Sequence, residues 1–110
     1  MLKLVVQSDN RIIFINIKDI IVITRQDRKT LILTTKGLVK TNQPLQQLEA
    51  QLNGYNFFRC HKGYIINAEM VTEFAPWGNK TYLVKLADTD VTALITLDKA
   101  KEFRRKFCAE

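Results

Sequence analysis

Residues 57–67 have the most specific pattern in this chain and read Phe57-Phe58-Arg59-Cys60-His61-Lys62-Gly63-Tyr64-Ile65-Ile66-Asn67. Its aromatic and aliphatic segments, Phe57–Cys60 and Tyr64–Asn67, predict two strands joined by a tight turn. Alternate side chains of these strands can fill a core, whereas Arg59, His61 and Lys62 fall at an exposed strand end. Such a hairpin either presents these three groups rigidly to a partner or uses Arg59 and His61 only to tie loops together.

The segments that precede this hairpin also have the composition of strands. Each is short, rich in Val, Ile, Leu and Thr, and bounded by polar residues; they are Leu2–Gln7, Ile12–Ile17, Ile20–Thr24 and Thr30–Thr35. We expect residues 1–41 to form a β-meander.

One helix is predicted between the two groups of strands. Its apolar residues recur at helical spacing and are Leu45, Leu48 and Leu52. Asn42 can cap this helix, Pro44 suits its first turn, and the Asn53-Gly54 pair ends it.

After the hairpin, three more strands and a second helix are predicted. The strands are Val71–Ala75, Tyr82–Leu86 and Val91–Thr96. Residues 97–107 have the pattern of a short helix that Thr96 or Asp98 can cap. One face of this helix is apolar, and the other is strongly basic, with Lys99, Lys101, Arg104, Arg105 and Lys106. The chain as a whole is therefore expected to be mainly β and to form one domain over residues 1–110.

Trp77 lies in the predicted turn between two of these strands, flanked by Pro76 and Gly78. Its indole can stack on a base or fill the tip of the hairpin against the core. At this turn we expect packing against the core.

The composition is that of a basic globular domain. The 110 residues include 17 Lys and Arg against 11 Asp and Glu, a formal net charge of +6, which favours an anionic partner such as nucleic acid or an acidic membrane. Cys60 and Cys108 lie far apart in a chain without an export signal or a long apolar run, so reduced thiols and a cytoplasmic location are expected.

The sequence argues against catalysis. His61, the only histidine, follows Cys60 directly, and neighbours on a strand point to opposite faces, so the pair cannot form a dyad alone. One His and two distant Cys do not make a zinc site, and the four scattered glycines form no nucleotide-binding loop. We expect no enzymatic activity, metal, cofactor or small-molecule substrate.

Residues 57–71 resemble the signature of the LytTR family of bacterial transcription regulators. The shared pattern is an aromatic pair, Arg, a variable residue and His, followed through a polar and a small residue by an aromatic, aliphatics and Asn. The resemblance covers most of residues 10–107, since the helix before Phe57 and the strands and basic helix after it agree as well. It implies elongated antiparallel sheets and a DNA-binding domain of a transcription or response regulator, within a two-component system.

The resemblance also implies that strand-connecting loops and the start of the last helix, rather than a recognition helix, approach DNA. The positions implied for DNA contact are Arg28, Lys29, Arg59, His61, Lys62 and Lys99. Further basic residues with a weaker claim to phosphate contact are Arg25, Lys80, Lys101, Arg104 and Arg105.

Two positions depart from the family pattern. Lys62 stands where Arg or Asn is common, which keeps phosphate binding but weakens bidentate reading of a base. After Thr96, Leu97 and Asp98 occupy places where a cation is expected, and only Lys99 follows. Asp98 either accepts from a cytosine amine or caps the helix, and we expect the cap.

The resemblance implies sequence-specific binding to double-stranded DNA, with two copies on direct repeats and a bent duplex. Relatives often carry an N-terminal receiver domain, which this chain is too short to include. The alternative is a protein-interaction module whose strand edges and basic helix dock an acidic or membrane-bound regulatory partner.

Overall fold

The computed structural model describes residues 2–110. Its elements are β1 (Lys3–Ser8), β2 (Arg11–Asn16), β3 (Ile20–Gln26), β4 (Lys29–Thr34), β5 (Gly37–Thr41), α1 (Leu45–Gln51), β6 (Phe57–His61), β7 (Tyr64–Asn67), β8 (Val71–Pro76), β9 (Thr81–Leu86), β10 (Thr92–Thr96) and α2 (Leu97–Phe107). All strand pairs are antiparallel within this part of the chain. The prediction of a mainly β fold with one internal and one C-terminal helix is confirmed.

The strands form three layers. A five-stranded sheet in the order β5-β4-β3-β7-β6 lies in the middle. The β1–β2 sheet and α1 cover one of its faces through a core that includes Leu4, Leu48 and Ile65. The sheet β10-β9-β8 and α2 cover the other face through a core that includes Ile66 and Phe103. Neighbouring residues Ile65 and Ile66 therefore enter opposite cores, as the alternation of side chains along a strand requires.

The predicted meander over residues 1–41 is confirmed for β3, β4 and β5, which pair in sequence order, and is wrong for β1 and β2. β1 and β2 form a separate two-stranded sheet, and β3 lies between β4 and β7. Four successive residues of β3, Ile20–Ile23, are buried, so both faces of this strand need a cover. The β1–β2 hairpin supplies one cover by packing on the sheet instead of extending it. The strand Gly37–Thr41 was not predicted because only Leu38 and Val39 in it are apolar.

Both helices lie where they were predicted, but their starts differ from the expectation. Pro44 occupies the position before the first turn of α1, where Asn42 was expected to act as the cap. Thr96 caps α2, because its Oγ1 accepts from the Lys99 amide at 3.2 Å. Asp98 is exposed in the first turn of α2, so the expectation that it caps this helix is wrong. Neither helix, nor any other within residues 2–110, is long and apolar enough to span a membrane.

The buried side chain of Asn67 fixes the position of the predicted hairpin in the sheet. Its Nδ2 donates to the Ile20 carbonyl at 2.8 Å, and its Oδ1 accepts from the Glu69 amide at 3.0 Å. A buried amide without these partners would destabilise the fold, so both bonds specify one arrangement. The end of β7 is thereby held against the start of β3.

Candidate nucleic-acid interface

Two basic turns lie side by side at one end of the five-stranded sheet. The β3–β4 turn carries Arg28, and the β6–β7 turn carries Lys62. Because β3 pairs with β7, the Arg25 amide donates to the Gly63 carbonyl across the two turns at 3.1 Å. The structure thus brings together residues that are more than thirty positions apart in the sequence.

The β3–β4 turn is shaped by its backbone. Asp27 and Arg28 both have positive φ, of 47° and 68°, and the flanking residues Gln26 and Lys29 are paired. These are the features of a two-residue type I′ turn, which normally prefers Asn-Gly. Arg28 therefore occupies a position that favours glycine, and its side chain and that of Lys29 are exposed.

The β6–β7 turn is held by side chains. Arg59 reaches around it, since its Nε donates to the His61 carbonyl at 3.0 Å and a terminal nitrogen donates to the Lys62 carbonyl. The imidazole Nδ1 of His61 accepts from the Gly63 amide at 3.1 Å. An acceptor nitrogen carries no proton, so this ring has its Nε2–H left to donate. Lys62 itself is exposed at the tip.

The hydrogen bonds that Arg59 makes across the β6–β7 turn form a brace, and a third hydrogen bond of Arg59 extends this brace to α1. Its other terminal nitrogen lies 3.0 Å from Glu49 Oε1, and the Arg59 side chain is 26% exposed. Because all three bonds are made inside the chain, the Arg59 guanidinium holds the β6–β7 turn in shape. The sequence had predicted that Arg59 contacts DNA. Glu49 was not identified in the sequence, because nothing in the helix pattern distinguishes it from any other exposed acidic residue.

A bulge at Cys60 lies directly below the braced turn. Arg59 pairs with Ile65 and His61 with Tyr64, so Cys60 is the extra residue of β6. Its side chain is buried in the core beside α2. Burial raises the pKa of the Cys60 thiol to about 12, and the group is therefore protonated at neutral pH and a poor nucleophile.

Lys99 is placed differently from the residues of the two turns. Its ammonium lies 3.5 Å from Glu102 Oε1 and 5.7 Å from the centre of the Phe58 ring. It lines a cleft between α1, β6 and α2 together with Arg59 and Glu49. The structure thus brings Arg28, Lys29, His61 and Lys62 into two adjacent turns, whereas Arg59 stands behind one turn and Lys99 lies on α2.

The weaker candidates are scattered over three places. Arg25 lies beside the two turns and donates to Thr30 Oγ1 at 2.9 Å. Lys101, Arg104 and Arg105 are exposed on α2, where Arg104 is paired with Glu110. Lys80 is exposed in the turn after β8 and has a positive φ of 56°.

Trp77 lies in the same turn as Lys80, and the prediction that it packs against the core is wrong. Its side chain is 57% exposed. In the neighbouring core, the rings of Tyr82 and Phe103 both pack against Phe74. The indole of Trp77 lies in solvent.

The fold and these turns define a class of domain: a layered β-protein that presents cations both on its strand connections and on its C-terminal helix. Within residues 2–110, no three His, Cys, Asp or Glu side chains are grouped as metal ligands. The arrangement suits a polyanion that is gripped by loops.

Comparison with known proteins identifies the family within this class. The model of the LytTr DNA-binding domain matches residues 10–107, so the chain belongs to the LytTr DNA-binding domain family. It is 31% identical over 98 residues to the transcriptional regulatory protein YpdB of Escherichia coli (strain K12), covering 89% of this chain and 40% of YpdB. It is 36% identical over 86 residues to the transcriptional regulatory protein LytR of Staphylococcus aureus (strain N315), covering 78% of this chain and 35% of LytR.

A solved structure shares the fold. A LytTr DNA-binding domain from Bacillus cereus superposes with a TM-score of 0.77 and 19% identity, covering 96% of this chain and 95% of that domain. The predicted family and its layered antiparallel fold are confirmed. The chain spans well under half of the curated relatives it matches, which are longer proteins.

Proposed function

We propose that this chain regulates transcription by binding double-stranded DNA in a sequence-specific manner through its strand-connecting turns. The observation that carries the proposal is the adjacency of the Arg28 and Lys62 turns, fixed by the bond from the Arg25 amide to the Gly63 carbonyl. Membership of a DNA-binding domain family supports it.

The spacing of the two turns fits a duplex. Their centres are separated by two strand spacings, or about 10 Å, which is comparable to the width of a DNA groove. The domain is 42 Å long, enough to span one helical turn of about 34 Å. As the family resemblance implies, we propose that one turn enters a major groove and the next meets the neighbouring minor groove, while the start of α2 approaches the following major groove.

The proposed contacts divide by chemistry. Arg28, Lys29 and Lys62 bind phosphates and set the register, and the Nε2–H of His61 donates to a phosphate or to a base acceptor. Lys99 joins them by exchanging Glu102 for a phosphate. Arg59 supports these contacts from behind through the His61 and Lys62 carbonyls.

We propose that two copies of this domain bind direct repeats in the target DNA and that the duplex is bent. A receiver domain elsewhere in a longer protein would supply the signal, and the site of action would be the cytoplasm. The mechanism includes no chemical step, metal or cofactor. A probe with both repeats should then bind much more tightly than a probe with one, and equal affinities would disprove the pairing.

The first experiment is a fluorescence-anisotropy titration of random duplex and of a direct-repeat library at two salt concentrations, followed by selection of the tightest sequences. We expect a repeated motif and a steep salt dependence, with a slope of about 0.9 per phosphate contact. Sequence-blind binding that vanishes near physiological salt would contradict the proposal.

A matched pair of variants identifies the surface. Lys29→Ala with Lys62→Ala should reduce the salt slope by roughly two and weaken binding at least tenfold, without changing the unfolding transition. The control is Lys18→Ala with Lys36→Ala, which removes the same charge at the other end of the molecule, where Lys36 lies 3.5 Å from Asp19. Equal losses from both pairs would mean that net charge, not these turns, governs binding.

One observation favours the alternative of a protein-interaction module. The outer face of the β1–β2 sheet exposes Val5, Ile12 and Phe14, and Phe14 is 61% exposed. An apolar face of this kind suits a protein partner. If this were the main function, substitutions in the two basic turns would leave partner binding unchanged, and the DNA titration would show no sequence preference.

A further inference from the structure

The turn between β8 and β9 combines two features that the proposed interface does not use. Trp77, the only tryptophan of the chain, is 57% exposed at its start, and Lys80 is exposed at its end. An indole is among the largest apolar groups a protein can leave in water, and no packing requires it here.

The backbone of Lys80 supplies an independent observation. Five non-glycine residues within residues 2–110 have positive φ. Three of them are Asp, a type that tolerates this conformation, and the other two are Arg28 and Lys80. A long side chain in the left-handed region is strained, and glycine would relieve that strain. The Arg28 turn and the Lys80 turn therefore share a strained backbone that stability alone does not explain. Such outliers concentrate at functional positions.

The turn is also firmly connected to the start of α2. The Trp77 amide donates to the Thr81 carbonyl at 3.0 Å and closes the turn, and the Leu97 amide donates to the Lys80 carbonyl at 3.0 Å. Two residues after Leu97, Lys99 lies against Phe58 of β6, the strand that leads into the His61 turn. The backbone that carries the indole and the ammonium is thus fixed beside the start of α2, where Thr96 and the anionic Asp98 are exposed.

We propose that the Trp77–Lys80 turn is a further DNA contact, in which Lys80 binds a phosphate and the indole of Trp77 packs flat on the adjacent nucleotide. The inference rests on the proposed function, and it extends the footprint beyond the Arg28 and Lys62 turns. The surface it takes is the deoxyribose beside that phosphate, which is the same in every nucleotide, because the faces of the bases are stacked inside a duplex. This turn contributes affinity and register, as the phosphate contacts of Arg28, Lys29 and Lys62 do, and it reads no base.

The single tryptophan makes the test direct. The full chain is titrated with the duplex selected above while indole emission and its quenching by acrylamide are recorded, and anisotropy of a labelled duplex is followed in parallel. We expect DNA to change the emission of Trp77 and to protect it from acrylamide. Trp77→Ala should weaken binding about fivefold or more, and Trp77→Phe should weaken it less.

Two further variants separate contact from folding. Lys80→Gly removes the charge and the strain together, so it should weaken binding and lower the salt slope by about one while the unfolding temperature stays equal or rises. Phe14→Ala is the matched control, since it removes an exposed aromatic ring from the β1–β2 sheet and should leave DNA affinity unchanged.

The outcomes are distinct. If the wild-type chain binds the duplex by anisotropy while Trp77 emission and acrylamide quenching do not change, and Trp77→Ala binds within twofold, the inference is wrong and the proposed function stands. If anisotropy itself shows no sequence-preferring binding, the proposed function has failed first. The wild-type fluorescence measurement decides the question even if Trp77→Ala fails to fold.

Discussion

The two adjacent basic turns reach the same result by different physical means. In the β3–β4 turn, Asp27 and Arg28 adopt positive φ, and the backbone alone makes the reversal. In the β6–β7 turn, the side chains of Arg59 and His61 bond to the turn from inside. Both turns expose a cation at the tip, Arg28 in one and Lys62 in the other.

The two turns differ in whether the residue that presents the charge also adopts the strained backbone conformation. Arg28 holds the strained conformation and presents the charge, so any substitution there changes stability and binding together. Lys62 contributes only its backbone carbonyl to the brace, so its side chain can be substituted without disturbing the turn. In the second turn, therefore, some residues maintain the shape of the turn and another presents the charge. Substitutions can test this separation.

The largest effect is expected from breaking the brace. Arg59→Ala leaves the carbonyls of His61 and Lys62 without their donors and Glu49 without its partner. We expect the free energy of unfolding to fall by about 1–3 kcal/mol and DNA affinity to fall at least tenfold. Arg59→Lys should restore little, because one ammonium cannot reproduce the planar set of donors. Urea unfolding and anisotropy titration measure the two quantities.

Glu49→Gln is the control for this variant. The amide oxygen of Gln can still accept from Arg59, so stability and affinity should change much less than in Arg59→Ala. A different result is informative: if Arg59→Ala keeps the stability of the wild type but loses DNA binding, Arg59 leaves its internal partners and contacts DNA itself.

A smaller effect is expected at His61, where shape and contact can be separated by one substitution. His61→Ala removes the acceptor for the Gly63 amide and should cost about 1 kcal/mol of unfolding free energy. Asn accepts readily from the amide two residues on, so His61→Asn should restore stability. It lacks the Nε2–H at the same place, and DNA affinity should stay low. Recovery of both properties in His61→Asn would show that His61 only shapes the turn.

The hairpin at residues 57–67 could be predicted because its information is local. The alternation of apolar residues places Phe58 and Cys60 in one core, and the turn follows from Gly63. The same holds for α1, whose leucines recur at helical spacing and are buried. In both cases the pattern within about ten residues determines which side chains face inward.

What the sequence could not show depends on contacts between distant segments. The unbroken apolar run Ile20–Ile23 indicates that β3 is buried on both faces, but it does not show that the β1–β2 hairpin supplies one of the covers. The partner of Arg59 is Glu49 on another element, and nothing in the local pattern shows that Trp77 is exposed. The structure brings four of the predicted residues, Arg28, Lys29, His61 and Lys62, into two adjacent turns, and their contacts with DNA stay a prediction.

The smallest effect, and the sharpest contrast between the turns, is expected from replacing Asp27-Arg28 with Asn-Gly. This pair is the preferred one for a type I′ turn, so the free energy of unfolding should rise by up to about 1 kcal/mol. DNA affinity should fall severalfold and the salt slope by about one, since one phosphate contact is lost. Lys62→Ala should give the same loss of affinity and slope at unchanged stability, because its backbone is unstrained.

If the Asn-Gly variant instead gains stability and binds DNA as well as the wild type, Arg28 makes no phosphate contact. Its strained backbone would then be a neutral feature of this turn. A positive φ would then not indicate a phosphate contact at Lys80 either, because both residues are cations in the same backbone region. The role of the Trp77–Lys80 turn would then depend on the exposed indole alone, which the fluorescence titration measures without reference to Lys80.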